Sequence, residues 1–414
     1  MKNIVILGAG HAGCQLAFAL RENGFQGNLT LVNGENALPY HRPPLSKGFL
    51  KNGRRDGLLL RGENAFADHG ISLVVDVARE IRPASREVQL ESGALLPYDH
   101  LALALGTLNR SLDIPGGDKG VVYLKSLADA ETLRARLIDA NTVVIIGAGF
   151  IGLEVAALAA SEAKVVHVID LADRVMARTA SEEISGYFQR RHQEAGVLFH
   201  LGARIIDVVR NGSMVSGVSL STGETIEADL VVAGLGVIPH TAMAQAAGLA
   251  VDNGIVVDEY LASNDPYISA IGDCARFPTP HASCPIRLES IQNAHDHARN
   301  LAKRLTGDAQ PYTVLPWFWS DQGDDKLQIA GLPGVADQRV LRGSPEQKRF
   351  SVFSFRGGQL FAVESVNQAT DHMLARKLIS TGTKVSPEMV ADMNVRLADL
   401  INHKGGAAHV RATV

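Results

Sequence analysis

Cysteine is scarce. Cys14, Cys274 and Cys284 are the only three in 414 residues, with no CxxC and no closely spaced pair. That excludes a disulfide-stapled framework and a CxxC redox or metal centre, so the three are expected to be small buried or neutral thiols and no metal is expected. No apolar run reaches the ~18 residues of a membrane span. The start, Met1-Lys2-Asn3 leading straight into a strand pattern, lacks the layout of a signal peptide. A cytoplasmic protein with no membrane association is expected. Excess charge of one sign is also missing. The 40 Lys+Arg against 44 Asp+Glu leave a net charge of −4, which offers no basic surplus for nucleic acid. Aromatic residues make up only 5%, and both tryptophans fall in one run, Pro316-Trp317-Phe318-Trp319-Ser320.

What is present is ordinary globular material, 46% hydrophobic and 20% charged, enough for sizeable cores. The length suggests about three domains at roughly 150 residues each. The chain is organised around Thr142 to Asp170. Thr142 to Ile146 is a β-branched apolar run, expected as a strand buried on both faces. Gly147, Gly149 and Gly152 then form GxGxxG, followed by a helical pattern and a second strand ending in Asp170. The first glycine permits a tight turn, the second lets the backbone approach a pyrophosphate, and the third lets helix and strand pack closely. The helix N-terminus presents free N–H groups to the anion. Asp170 stands where a carboxylate can bond both ribose hydroxyls and repel a 2′-phosphate.

The pattern occurs twice. Lys2 to Glu35 repeats it with Gly8, Gly10 and Gly13, and Glu35 is the ribose candidate, 22 residues beyond Gly13. Two fingerprints in one chain mean two dinucleotides or a duplication, and the usual pairing is a bound flavin with an exchanging nicotinamide.

Taken in order, the chain predicts a helix over 12–23 and a strand over 29–32. A two-proline bend in LPYHRPPLSK follows, flanked by Arg42 and Lys47, with a helix from Leu45 onward. Short strands are expected at 71–77, 87–90, 95–98 and 101–105, a linker at Pro115-Gly116-Gly117, and a helix over 126–140. After Asp170 come a helix over 181–195, strands near 197–200 and 229–233, and a short strand ending in Gly272-Asp273. A helix spans 289–306. Its His295 and His297, two apart, face different sides and do not form a metal pair. The C-terminal part reads as a small α+β domain. It has strands at 327–329, 350–355 and 360–366, helices at 371–379 and 389–401, and a frayed tail from Lys404.

The paired GxGxxG units, LPYHRPPLSK, IGDCA and PWFWSDQ together resemble the putidaredoxin-reductase family, the NADH-dependent ferredoxin reductases of bacterial monooxygenase and dioxygenase systems. The likeness runs over essentially the full length. It implies an α/β fold of glutathione-reductase type, with two Rossmann-like dinucleotide-binding domains, for FAD and NAD, and a C-terminal α+β interface domain. The FAD domain would be 1–109 with 238–314, the NADH domain 110–237, and the interface domain 315–414. It also implies FAD contacts at Gly8, Gly10, Gly13, Glu35, Arg42, Lys47 and Asp273. Lys47 would sit by the isoalloxazine ring and Asp273 on the ribityl chain, with Glu289 and Trp319 also at the flavin. NADH would be held by Gly147, Gly149, Gly152 and Asp170, with Glu154 beside the nicotinamide and Phe150 where that ring enters. The chain departs from the family pattern at Gly34, where an acid is usual, and at Ala104-Leu105-Gly106, where ATG is usual.

Disulfide reductases of this architecture carry a redox cysteine pair where this chain has HRPPLSK, thioredoxin-reductase-like enzymes need a CxxC, and peroxidase-like relatives need one early cysteine. With none of these, an external one-electron acceptor is the natural outlet, and the resemblance names a 2Fe–2S ferredoxin. The competing expectations are a flavin reductase with a small acceptor of monodehydroascorbate or quinone type, and a redox-sensing NADH-binding flavoprotein. A monomer is expected.

Overall fold

The computed structural model describes residues 1–114, 117, 119–212 and 214–402. The expected linker at 115–117, apart from Gly117, and the tail from Lys404 lie outside the described residues. The chain divides into two compact units, Met1–Ala172 with Ala195–Val314, and Asp173–Glu194 with the chain from Leu315 onward.

The first unit is built twice from one plan. Asn3–Leu7 is the central strand of a five-stranded parallel sheet, in the order 268–270, 100–103, 3–7, 28–33, 71–75. Thr142–Ile146 is the centre of a second, in the order 198–201, 165–170, 142–146, 230–233, 122–123. Parallel strands need both faces covered, which is why these runs are continuously apolar. Val143, Val144 and Ile145 are completely buried, and each such side chain contributes about 1.5–3 kcal/mol of burial. The repetition extends beyond the glycine motifs. Each parallel sheet is accompanied by an antiparallel three-stranded meander, Ala78–Arg82, Glu87–Leu90 and Leu95–Pro97 in one half, Ile205–Asn211, Met214–Leu220 and Thr225–Glu227 in the other. A two-stranded antiparallel ribbon, Thr107–Asn109 with Val237–Pro239, carries the chain between halves.

Several helices begin where the sequence pattern places them. The helix Leu127–Asp139 starts at Ser126 through a reciprocal capping box with Asp129. The helix expected from Leu45 onward is instead two pieces, a 3₁₀ turn over Pro43–Ser46 and a helix over Gly48–Asn52, broken at Lys47.

The second unit centres on a five-stranded antiparallel sheet in the order 317–322, 325–331, 359–366, 349–356, 338–344. Helix Ala369–Ser380 packs on it. The strand Gln338–Ser344 escaped the sequence reading because its composition is polar and only Val340 is buried among its apolar residues. The single helix expected over 389–401 is two short ones, Pro387–Ala391 and Leu397–Asn402. The buried Arg342 guanidinium explains the break. It donates to the carbonyls of Val390, Asp392 and Val395 at 3.0, 2.7 and 2.9 Å, three acceptors that one continuous helix would use internally.

Helix Glu182–Glu194, inside the span 110–237 expected for the NADH domain, packs within this second unit. Arg191 Nε and Tyr187 OH donate to Asp325 Oδ2, each at 2.9 Å, and Ser181 N donates to Glu364 Oε1 at 2.9 Å. Glu364 is completely buried, and burial pushes its carboxyl up to about 7. A carboxyl that holds its proton more tightly folded than unfolded costs stability as pH rises from its ordinary value to the folded one. The cost is complete above pH 7 and absent below about pH 4. Glu364→Gln should therefore be more stable than the wild type at pH 8 by on the order of 2–3 kcal/mol, and equal to it at pH 4. Denaturant titrations at the two pH values check this, and the same difference at both would refute it.

Candidate dinucleotide sites

The two glycine loops leave their central strands with matching geometry. Gly8 and Gly147 have φ of 101° and 103°. A β-carbon on Gly8 would lie 2.3 Å from the Ala104 carbonyl oxygen, and one on Gly147 2.4 Å from that of Gly234. At Gly13 and Gly152 it would meet the carbonyl oxygens of Gly8 and Gly147 at 1.8 and 2.1 Å. Side chains are thus excluded by packing at the first and third glycines of both loops. At Gly10 and Gly149 nothing lies within 4 Å, so the middle glycine of each loop faces open space. These two residues are the N-caps of helices His11–Glu22 and Phe150–Ser161, and no side chain caps either helix. Each helix presents its first N–H groups and positive dipole end to that space, a cradle that fits a pyrophosphate.

The acids after the second strands are held differently. Asp170 ends the strand Val165–Asp170, and its carboxylate accepts from Ala148 N at 2.6 Å and Ala172 N at 2.8 Å. Ala148 lies inside the glycine loop, so this acid is fixed against the loop it would serve. Glu35 is half-buried and accepts from Arg42 Nη2 and Tyr40 OH, both at 2.5 Å. Arg42 Nη1 also donates to the Lys125 carbonyl at 2.7 Å. Arg42 and Glu35 are therefore brought together as an ion pair.

Lys47 and Glu154 also meet, although 107 residues separate them. Lys47 Nζ donates to Glu154 Oε2 at 2.8 Å, and Ser46 Oγ donates to the same oxygen at 2.5 Å. Glu154 is 7% exposed and Ser46 6%. The contact runs from the two-proline bend of the first half to the glycine-loop helix of the second, both within the first unit. Phe150, half-buried, opens that same helix.

Asp273 follows the short strand Ile268–Ala270, in a 3₁₀ turn over Gly272–Cys274. Burial, then the neighbouring Glu289, pushes its carboxyl up to about 6, against the opposing pull of Lys125, Arg287 and Arg42. Arg287 links the two acids, pairing with Glu289 at 2.7 Å and donating to the Asp273 carbonyl at 3.2 Å. Lys125 Nζ donates to Thr107 Oγ1 at 2.6 Å. Burial, then Arg42, lowers its ammonium below the ordinary lysine range. Sequence reasoning missed Lys125 and Arg287. Their one signal was position, Lys125 just before a helix cap and Arg287 two residues before Glu289. His11, inside the first loop, was missed as well. It rings against His41 and His295 at 5.5 and 5.8 Å, and burial, then His295, pushes it down to about 3, so it stays neutral. Trp319 lies on the edge strand Trp317–Gln322 of the second unit, with the Trp317 ring 5.7 Å away.

The thiols stand apart from this chemistry. Burial pushes Cys14 and Cys274 each up to about 11, and Cys284 is exposed. No disulfide forms among them. Among the described residues no helix is long and apolar enough to cross a membrane.

Residues 2–298 match the family model of pyridine nucleotide-disulphide oxidoreductases, and residues 317–401 match the reductase C-terminal model. The chain is 47% identical to rhodocoxin reductase of Rhodococcus erythropolis, over 95% of this chain and 93% of that one. It superimposes on the ferredoxin reductase for the CYP199A2 system of Rhodopseudomonas palustris with a TM-score of 0.95 and 48% identity, covering 96% and 99% of the two chains. It is also similar to putidaredoxin reductase in its covalent complex with putidaredoxin, with a TM-score of 0.94, 38% identity, and 97% and 98% coverage. Twin nucleotide cradles joined by a lysine–glutamate pair, with a reductase C-terminal domain after them, therefore have a known home, and the chain belongs to the pyridine nucleotide-disulphide oxidoreductase family, among its ferredoxin reductases.

Proposed function

We propose that the chain is an FAD-dependent NADH–ferredoxin reductase, passing electrons from NADH to a 2Fe–2S ferredoxin that serves a monooxygenase or dioxygenase in the cytoplasm. The observation that carries the reading is what occupies the position of the redox thiols. Ser46 and Lys47 meet Glu154 there, and the buried thiols Cys14 and Cys274 are held protonated. The names of the relatives support the acceptor. The same reading assigns FAD to 1–109 with 238–314, NADH to 110–237, and the partner-facing role to the chain from 315.

When bound, FAD supplies the ability to take a hydride and give up electrons singly. The protein supplies position and field. Gly8, Gly10 and Gly13 seat the FAD pyrophosphate, Arg42 and Glu35 its adenosine end, and Asp273 the ribityl chain. Gly147, Gly149 and Gly152 seat the NADH pyrophosphate, and Asp170 the ribose hydroxyls. Holding both ring systems in register makes hydride transfer effectively intramolecular. Lys47 places a positive charge where negative charge develops on reduction, and Glu154 keeps that ammonium in place beside the nicotinamide. Phe150 and Glu289 border the ring site, and the reading assigns Trp319 to electron delivery. No residue acts as a general base, because the hydride leaves with its electron pair.

NADH oxidation with a 2Fe–2S ferredoxin present should run at least about 100-fold faster than with oxygen alone, a difference of about 3 kcal/mol in barrier. Comparable rates with and without every ferredoxin of a panel, or a faster rate with a quinone, would overturn the reading. Asp170→Ala should raise the NADH KM about tenfold or more with a smaller change in kcat, since a charge-assisted hydrogen bond contributes about 1.5–3 kcal/mol. An unchanged KM would mean that another acid holds the ribose. Trp319→Ala should slow ferredoxin reduction several-fold more than reduction of a small dye. Parallel losses for both acceptors would reduce Trp319 to a packing role.

A further inference from the structure

We infer that Ser46 is a positioning residue for the NADH half-reaction, its hydroxyl fixing the orientation of the Glu154 carboxylate so that Lys47 stays beside the flavin. The inference rests on the placement of Lys47 and Glu154 argued above. Ser46 has one strong acceptor. Its Oγ lies 2.5 Å from Glu154 Oε2 but 3.4 Å from the Pro43 carbonyl, so the hydroxyl proton goes to the carboxylate.

The hydroxyl is aimed before any ligand arrives. Pro43 and Pro44 fix two consecutive φ angles, and Ser46 closes the 3₁₀ turn they start, so little backbone entropy remains to be lost at this position. At Lys47 the chain leaves helical geometry, and Ser46 and Lys47 both deliver their donors to one oxygen. Two donors on one carboxylate oxygen fix the rotation of the whole group.

The pairing has a chemical reason. At 7% exposure, Glu154 has little water around it, so protein donors decide how its carboxylate is turned. Short bonds to a carboxylate are strong and directional. Lys47 is a cation packed against Glu154 from the proline bend. If the Ser46 hydroxyl is removed, the carboxylate is free to turn and holds that ammonium less firmly in place. Ser46 thus acts through Glu154 and Lys47 rather than on a reacting atom. No bond is made or broken by it.

The test uses the FAD-loaded enzyme at one pH, with two readouts, the limiting rate of flavin bleaching by NADH in stopped flow and the midpoint potential of the flavin, and with flavin content measured by absorbance. Ser46→Ala should slow bleaching about tenfold and make the potential more negative while retaining FAD, because the ammonium is held less firmly where negative charge develops. Ser46→Cys keeps a similar volume with a feeble donor, should behave the same way, and serves if the alanine variant loses flavin. Ser46→Thr keeps the hydroxyl and should restore most of both readouts. A wild-type rate and potential in the alanine or cysteine variant that retains FAD overturns the inference. Glu154→Gln separates this failure from failure of the site reading. If Glu154 stands at the nicotinamide, the glutamine variant reacts more slowly than wild type. A wild-type rate in that variant would remove Glu154, and Ser46 with it, from the reaction.

Discussion

A carboxylate nearly shut off from water must find its compensation inside the protein, and Glu154 finds it 107 residues away in the chain. Stripping one partner from a buried ion pair costs about 3–5 kcal/mol, because the other charge is left without its counterion. That penalty gives the Lys47–Glu154 contact structural force. The proline bend of the first half cannot drift from the glycine-loop helix of the second without exposing it. The same contact fixes where a lysine ammonium stands relative to the second nucleotide cradle. Together with the ribbon Thr107–Asn109 and Val237–Pro239 and the bond from Arg42 to the Lys125 carbonyl, this pair registers the two halves.

The two halves repeat one plan. In each, a β-carbon at the first glycine would strike a carbonyl just beyond the neighbouring strand, that of Ala104 or Gly234. In each, the third glycine packs on the first, and the second faces open space. The glycine spacing and its flanking strands were legible in the sequence, since they lie within about 30 positions of each other, whereas the carbonyls of Ala104 and Gly234 that the first glycines pack on are far away in the chain. The matched three-stranded meanders were harder to read as a repeat. Their strands are short and partly exposed, and the periodic signal within each is weak.

The rest escaped for one shared reason. Lys125 reaches the Asp273–Glu289 cluster from far away in the chain, and Arg287, although two residues before Glu289, also reaches back 14 residues to the Asp273 carbonyl. Arg342 breaks a helical pattern some 50 residues away by drawing three carbonyls onto its guanidinium. At Lys47 the helix expected from Leu45 is interrupted where the side chains of Ser46 and Lys47 both reach Glu154, a partner 107 residues from Lys47. Local pattern proposes an element, and a buried charge from elsewhere decides where it ends.

Helix Glu182–Glu194 shows the same rule at the level of whole units. By sequence it is the crossover between two adjacent parallel strands, Val165–Asp170 and Leu198–Leu201. Yet Asp325 and Glu364, buried acids of the C-terminal sheet, accept from its Arg191 and Tyr187 and from Ser181 just before it. The chain therefore leaves the nucleotide unit just after Asp170, makes its polar contacts in the other unit, and returns. On the proposed function, the stretch that carries the NADH ribose acid is covalently continuous with a helix belonging to the partner-facing unit. Only residues 171–181 separate the two roles. Asp170 in turn holds Ala148 and with it the glycine loop.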